Sequence, residues 1–124
     1  MKKTLLASTL LLFTACANEP QFATYEIFPH TAALQRTTAG SADVHIQMII
    51  GSNGCYRFKE MRSDKLGDTQ RVRFYGEQDI TPGVMCTMAI VEMDEVLTIK
   101  RLEGVQYLRF TMKRGRDTTI ALTE

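Results

Sequence analysis

The groups in this 124-residue chain with chemistry to offer are two histidines, fourteen carboxylates, three cysteines and fifteen basic side chains. Nucleophilic catalysis needs a Ser, Cys or Thr beside a base that a third group orients. His30 and His45 are the imidazole bases available, and neither stands in a recognisable nucleophile motif; no Gly-x-Ser-x-Gly elbow occurs. His30 follows Pro29 and reads as a loop residue, whereas His45 falls on the polar side of a strand. The densest acidic run, Glu92-Met93-Asp94-Glu95, offers oxygens to a cation. Calcium loops need more ligands in a defined order, so the run reads as a solvated turn formed at Asp94 and Glu95. Met85-Cys86-x-Met88 carries the soft ligands that select monovalent copper. Strand alternation would send Met85 and Met88 to opposite sides, one into a core and one to the surface. The sequence thus predicts a chain without catalytic residues, metal or cofactor.

Basic residues concentrate in two places. Arg57, Lys59, Arg62, Lys65, Arg71 and Arg73 fall on segments read as neighbouring strands, and Lys113, Arg114 and Arg116 form a tip preceded by Arg109. Guanidinium groups pair well with carboxylates and phosphates through their fork of donors. Tyr75, exposed if Phe74 is buried, adds an aromatic anchor of the kind that interface hot spots use. The expected contact residues are therefore Arg57, Lys59, Arg71, Arg73, Tyr75, Arg114 and Arg116. The competing reading is a solvated sheet face balanced by Glu60, Asp64 and Asp68.

Strands must position these groups, because period-two alternation dominates the chain. Val44, Ile46, Met48 and Ile50 alternate with His45 and Gln47 and end at Gly51. Asn53-Gly54 follows as a hairpin turn signal, with residues 55–62 returning as the second arm, Tyr56 and Phe58 on one face. Residues 63–68 read as a polar turn, and Val72 and Phe74 alternate with Arg71, Arg73 and Tyr75. Pro82-Gly83 breaks the chain before residues 84–92, whose apolar run predicts a strand covered on both sides. Residues 96–102 and 105–112 read as two strands joined at Glu103-Gly104, with a last strand at 118–122 and a short first one at 25–28. Residues 31–38 fit a helical turn or a loop. Seven or eight short strands at close intervals predict an all-β antiparallel sandwich or small barrel.

The N-terminus supplies an address. Lys2 and Lys3, the apolar run 5–13 and small residues before Cys16 follow the order of an export signal. Thr14-Ala15-Cys16 resembles the lipobox of bacterial lipoprotein signal peptides, with Phe13 where that motif usually has Leu. The resemblance implies a signal over 1–15, lipidation with palmitate-type chains at Cys16, a tether over 16–23 and a sandwich domain over 24–124. The apolar run is shorter than the roughly 20 residues of a membrane-spanning helix, so the acyl chains would be the anchor. Removing Lys2 and Lys3 from fifteen Lys and Arg leaves thirteen against fourteen Asp and Glu, a net charge of −1. A nearly neutral domain argues against nucleic acid as a partner. With Cys16 committed to lipid, Cys55 and Cys86 remain as an even pair in an oxidising compartment, and a disulfide is the default reading. Two isolated thiols without a nearby His pair make an incomplete metal-ligand set.

Asn53-Gly54-Cys55-Tyr56, Cys86-Thr87-x-Ala89-Ile90 and the Gly104 to Tyr107 spacing are similar to those of small bacterial lipoproteins. The resemblance implies an Ig-like β-sandwich in which the two cysteines join; it implies no activity, since fold alone does not fix function. The expectation is a non-enzymatic binding module on the cell envelope, contacting a protein partner through its basic strand face. Ala17, where an Asp would favour inner-membrane retention, points to the outer membrane facing the periplasm in a cell with two membranes. Two alternatives stand beside it: an inhibitor or immunity lipoprotein against a periplasmic hydrolase or toxin, and an enzyme whose polar groups converge from separate loops.

Overall fold

The computed structural model describes residues 19–122 and contains eight strands in two sheets. The strands are β1 (Phe22–Ile27), β2 (Thr31–Thr37), β3 (Ser41–Gly51), β4 (Tyr56–Leu66), β5 (Thr69–Asp79), β6 (Val91–Lys100), β7 (Tyr107–Thr111) and β8 (Asp117–Ala121). One sheet places β3 between β2 and β6, antiparallel to both. In the other, β5 pairs along one edge with β4. Its opposite edge is shared: β1 takes the half from Phe74 to Asp79 and β7 the half from Thr69 to Val72, with β8 outside β7. The β5–β7 pair is parallel and every other pair antiparallel. The all-β sandwich expectation therefore stands. Strand pairing begins at Phe22, two residues before the domain start read from the sequence.

Alternation explains the layers. Val44, Ile46, Met48 and Ile50 of β3 point inward and meet Val72 and Phe74 of β5 and Leu108 and Phe110 of β7 in one buried cluster. The Phe74 and Phe110 rings lie parallel with centroids 6.1 Å apart, an offset arrangement that avoids face-on repulsion. Tyr25 crosses Tyr56 edge-on at 5.5 Å and donates a hydrogen bond to the Ile50 carbonyl. Its ring lies on Gly76, the residue opposite it in the ladder; a Cβ there would come within 2.6 Å of the phenol oxygen. Glycine is required at that position because the aromatic ring occupies the missing side chain's space.

Several local expectations change. The Asn53-Gly54 segment does not close a hairpin: β3 and β4 lie in different sheets, and the segment is a corner between them. Asn53 Oδ1 accepts from the Cys55 amide at 2.9 Å, the local bond that lets Asn turn a chain. A strand with one apolar face can bury it beside its predecessor or across from it, and alternation is the same in both cases. Residues 31–37, read as a helical turn or loop, form β2, with Ala32 and Leu34 packed on the core and a bulge between Leu34 and Arg36. The turn read over 63–68 shrinks to Gly67 and Asp68, because the β4–β5 ladder runs on to Leu66 and Thr69. Residues 84–90 are a loop rather than a buried strand, and both Met85 and Met88 are exposed, at 92% and 95%. Asp94 and Glu95 lie inside β6, opposite Gln47 and Ile46, not in a turn. Finally, β6 and β7 belong to different sheets, so Glu103-Gly104 is a crossing and not a hairpin.

Candidate interaction face

The cysteines and the candidate contact residues can be placed in turn. Cys55 and Cys86 form a disulfide with their Cα atoms 5.1 Å apart, tying the start of β4 to the loop that precedes β6. Cys16 lies outside the described residues. Among the described residues no group of three or more His, Cys, Asp or Glu converges on a metal site.

Arg57, Lys59, Arg71, Arg73 and Tyr75 share the outer face of the β4–β5 ribbon. Val72 and Phe74 point into the core, so Arg71, Arg73 and Tyr75 must point away from it. On β4 the ladder skips Lys59 between Phe58 and Glu60. This bulge turns Glu60, Arg62 and Asp64 outward opposite Tyr75, Arg73 and Arg71. Without it, the alternation begun at Arg57 would have carried Arg62 into the sandwich.

Carboxylates answer most of the guanidinium groups on this face. Arg57 reaches Glu77 at 2.6 Å and sits 4.5 Å over the Phe22 ring. Arg71 forks onto both oxygens of Asp64 across the ribbon. Arg62 binds Glu60 at 2.5 Å and lies 4.2 Å over the Tyr75 ring. Lys59 Nζ donates to Thr24 Oγ1 at 3.1 Å, and Arg109 approaches Asp117 at 4.0 Å. The bond from Arg62 holds the Glu60 carboxyl below its ordinary range, and that from Arg71, helped by the Arg73 charge, does the same for Asp64. Exposed pairs of this kind add little stability; they fix which way each fork points.

Arg73 is the exception. It is exposed, stands directly opposite Arg62, and makes no side-chain hydrogen bond or ion pair among the described residues. Like charges opposite each other in a ladder repel, and here Arg62 is drawn aside to Glu60 and Tyr75 while Arg73 is left open. The two arginines border a shallow depression of about 260 Å³ with Ser63, Asp64 and Tyr75. Such a site can take one carboxylate or phosphate oxygen pair on Arg73 with an apolar group against Tyr75.

Arg114 and Arg116 do not join this face. Arg114 lies in the 3-10 turn Lys113–Gly115 after β7, at a φ of 72°, and Arg116 follows it in extended conformation; the Lys113 amide donates to the Pro29 carbonyl at 2.8 Å. With His30, Lys113 and Thr118 they border a separate open depression of about 470 Å³ that has no carboxylate in its lining. The predicted basic set is therefore two surfaces, one balanced by acids and one not. His45 accompanies neither: on the outer face of the β2–β3–β6 sheet it pairs with Asp94, which also accepts from Gln47 at 3.1 Å. These bonds hold the Asp94 carboxyl below its ordinary range.

Arg62 and its acidic partners were the residues hardest to place from sequence. Setting the turn at Gly67-Asp68 would have found them, since pairing Leu66 with Thr69 brings Arg62 opposite Arg73. Nothing among curated proteins or solved structures matches this chain. A family model does match residues 44–119, from within β3 to within β8, and so spans most of both sheets and the whole β4–β5 ribbon. On that match the chain belongs to the family of the ORF11 beta-sandwich domain.

Proposed function

We propose that this protein is a lipid-anchored module of a bacterial cell envelope that captures a protein partner through the outer face of β4 and β5. The observation that carries this reading is Arg73, an unpaired guanidinium beside an arginine-stacked tyrosine on an open, ordered strand face. The surrounding ion pairs hold Arg57, Arg62 and Arg71 in place, so an acidic partner group would meet a preorganised surface with little ordering cost. The lipobox-like Thr14-Ala15-Cys16 supports the anchor. The proposed role is recognition, which the charge and aromatic ring of the Arg73 depression support.

The test is mild cross-linking of the lipidated protein in its native envelope, followed by recovery of the bound partner, for the wild type and Arg73→Glu. Loss of a central hot-spot contact, about 2 kcal/mol, corresponds to roughly 30-fold weaker capture. The thermal midpoint should not fall, because the Arg73 side chain makes no hydrogen bond or ion pair among the described residues and its ladder pairing through the backbone is kept. Undiminished capture by Arg73→Glu would remove this face from the proposal.

A further inference from the structure

Residues 80–91 contain no charged side chain, and within this stretch Ile80, Val84, Met85, Met88 and Ile90 are all exposed. Contiguous exposed apolar surface on a small domain marks a contact site. The loop cannot fold back to hide it. The disulfide fastens its middle to Cys55, the Gly54 amide donates to the Thr87 carbonyl at 2.9 Å, and the Val84 amide closes a turn onto Thr81 at 3.0 Å. Gly54 packs so closely on Thr87 that any side chain at position 54 would collide with it.

The place of the loop identifies what covers it. Gln21 is tied to the loop's first residues, its carbonyl accepting from the Ile80 amide at 2.8 Å and its amide donating to Thr81 Oγ1 at 2.8 Å. Cys16 precedes Gln21 by five residues, a span of at most about 17 Å in any conformation. The exposed Phe22 ring, opposite Asp79 in the ladder, belongs to the same end of the sandwich. A chain anchored at Cys16 would therefore hold this uncharged apolar loop within a few residues' reach of the bilayer, with Arg57 over the Phe22 ring and Asp79 at its border. The β4–β5 turn lies at the far end of β5, ten residues or about 33 Å away.

We infer that the 80–90 loop is a membrane-contact surface, seating Met85, Met88 and Ile90 in the interfacial layer of the bilayer beside the lipid anchor. The inference rests on the lipidation reading above. Unbranched thioether side chains adapt to an irregular acyl boundary, and tethering raises the loop's effective concentration at the membrane. The lipid would hold the domain at the surface; the loop would fix which end faces it and keep the Arg73 ribbon standing outward.

The chain has no tryptophan, so single introduced ones report cleanly. Met88→Trp and Leu66→Trp, the latter at the far β4–β5 turn, are produced as full chains in a host that processes lipoproteins. Each is reconstituted into phosphatidylethanolamine and phosphatidylglycerol vesicles with and without brominated acyl chains. The expected result is a blue-shifted emission at position 88, quenched by brominated lipid, with position 66 unshifted and unquenched. Met85→Trp should repeat the result at 88. If the chain sediments with vesicles and position 88 stays unquenched, the loop inference is overturned while the anchor stands. A blue shift without quenching means a second copy covers the loop, and equal quenching at 66 removes the orientation; either overturns it. Failure to sediment with vesicles overturns the anchor and the loop together.

Discussion

Gln70 is the buried polar residue that ties the two sheets together, and replacing it tests how the ribbon bearing Arg71, Arg73 and Tyr75 is held. It is 1% exposed and sits at the second position of β5. Its Nε2 donates to the Lys100 carbonyl and its Oε1 accepts from the Leu102 amide, both at 2.9 Å, so it bonds the backbone where the chain leaves β6. Gln70→Leu keeps the bulk and deletes both bonds. A buried donor or acceptor left unsatisfied costs about 1–3 kcal/mol, giving about 2–6 kcal/mol for the pair. Extra apolar burial by leucine returns about 1–2 kcal/mol. The net is about 3 kcal/mol, a fall in thermal midpoint of about 10–20 °C for a domain of this size. Urea unfolding followed by far-ultraviolet circular dichroism measures it. Gln70→Glu sharpens the test. A carboxylate accepts from Leu102 but donates to Lys100 only when protonated, and burial raises its pKa in the folded state. A folded pKa above the unfolded value of about 4.3 places the stabilising contribution below that pH and removes it as pH rises through the folded pKa. Gln70→Glu should thus approach the wild type's stability in acid and fall short of it at neutral pH. A Gln70→Leu variant within about 0.5 kcal/mol of the wild type, or a Gln70→Glu deficit that ignores pH, would refute this account of the inter-sheet bond.

Two further outcomes follow from the core and the staple. Reducing the Cys55–Cys86 bond, which joins residues 31 apart in sequence, should cost about 3–4 kcal/mol by urea titration; alkylation of either thiol before reductant is added would contradict the bond. Burial and the neighbouring Tyr56 phenol push the Tyr25 hydroxyl above its ordinary pKa. Its contribution is therefore full below about pH 10 and lost as pH rises through the folded value. Tyr25→Phe should flatten the alkaline loss of stability above about pH 10, and an unchanged slope in the variant would show that this phenol is not the group responsible.

Most strands could be read locally, residues 31–37 and 84–90 excepted; which strands lie side by side could not. The alternation of β3 and of residues 71–75 identifies their buried faces correctly, because each residue's side is fixed by its own strand. Pairing depends on where a chain goes at a corner, and Asn53-Gly54 offers the same turn chemistry whether the next strand stays in the sheet or crosses the core. The 84–92 run misled for a different reason. Apolar composition predicts burial, and this loop instead leaves Met85 and Met88 in the open. The basic face was legible as a set of positions on alternating strands. That Asp64 answers Arg71 and that Arg62 faces Arg73 follows from a turn at Gly67-Asp68; that Arg57 meets Glu77 on the same face required the bulge at Lys59, which no local signal marks.

The divided edge of β5 has a consequence for how the molecule comes into being. Its Phe74–Asp79 half waits on β1, 47 to 57 residues upstream, and its Thr69–Val72 half on β7, 38 residues downstream. Pairings that distant close large loops before they gain any contact, which slows assembly. The sheet that carries the ribbon therefore cannot be completed until Tyr107–Thr111 has been made, since that segment forms its parallel seam. Under the envelope proposal, in which the chain crosses a membrane before it folds, late closure would keep it threadable and the order of its strands would act as a timer.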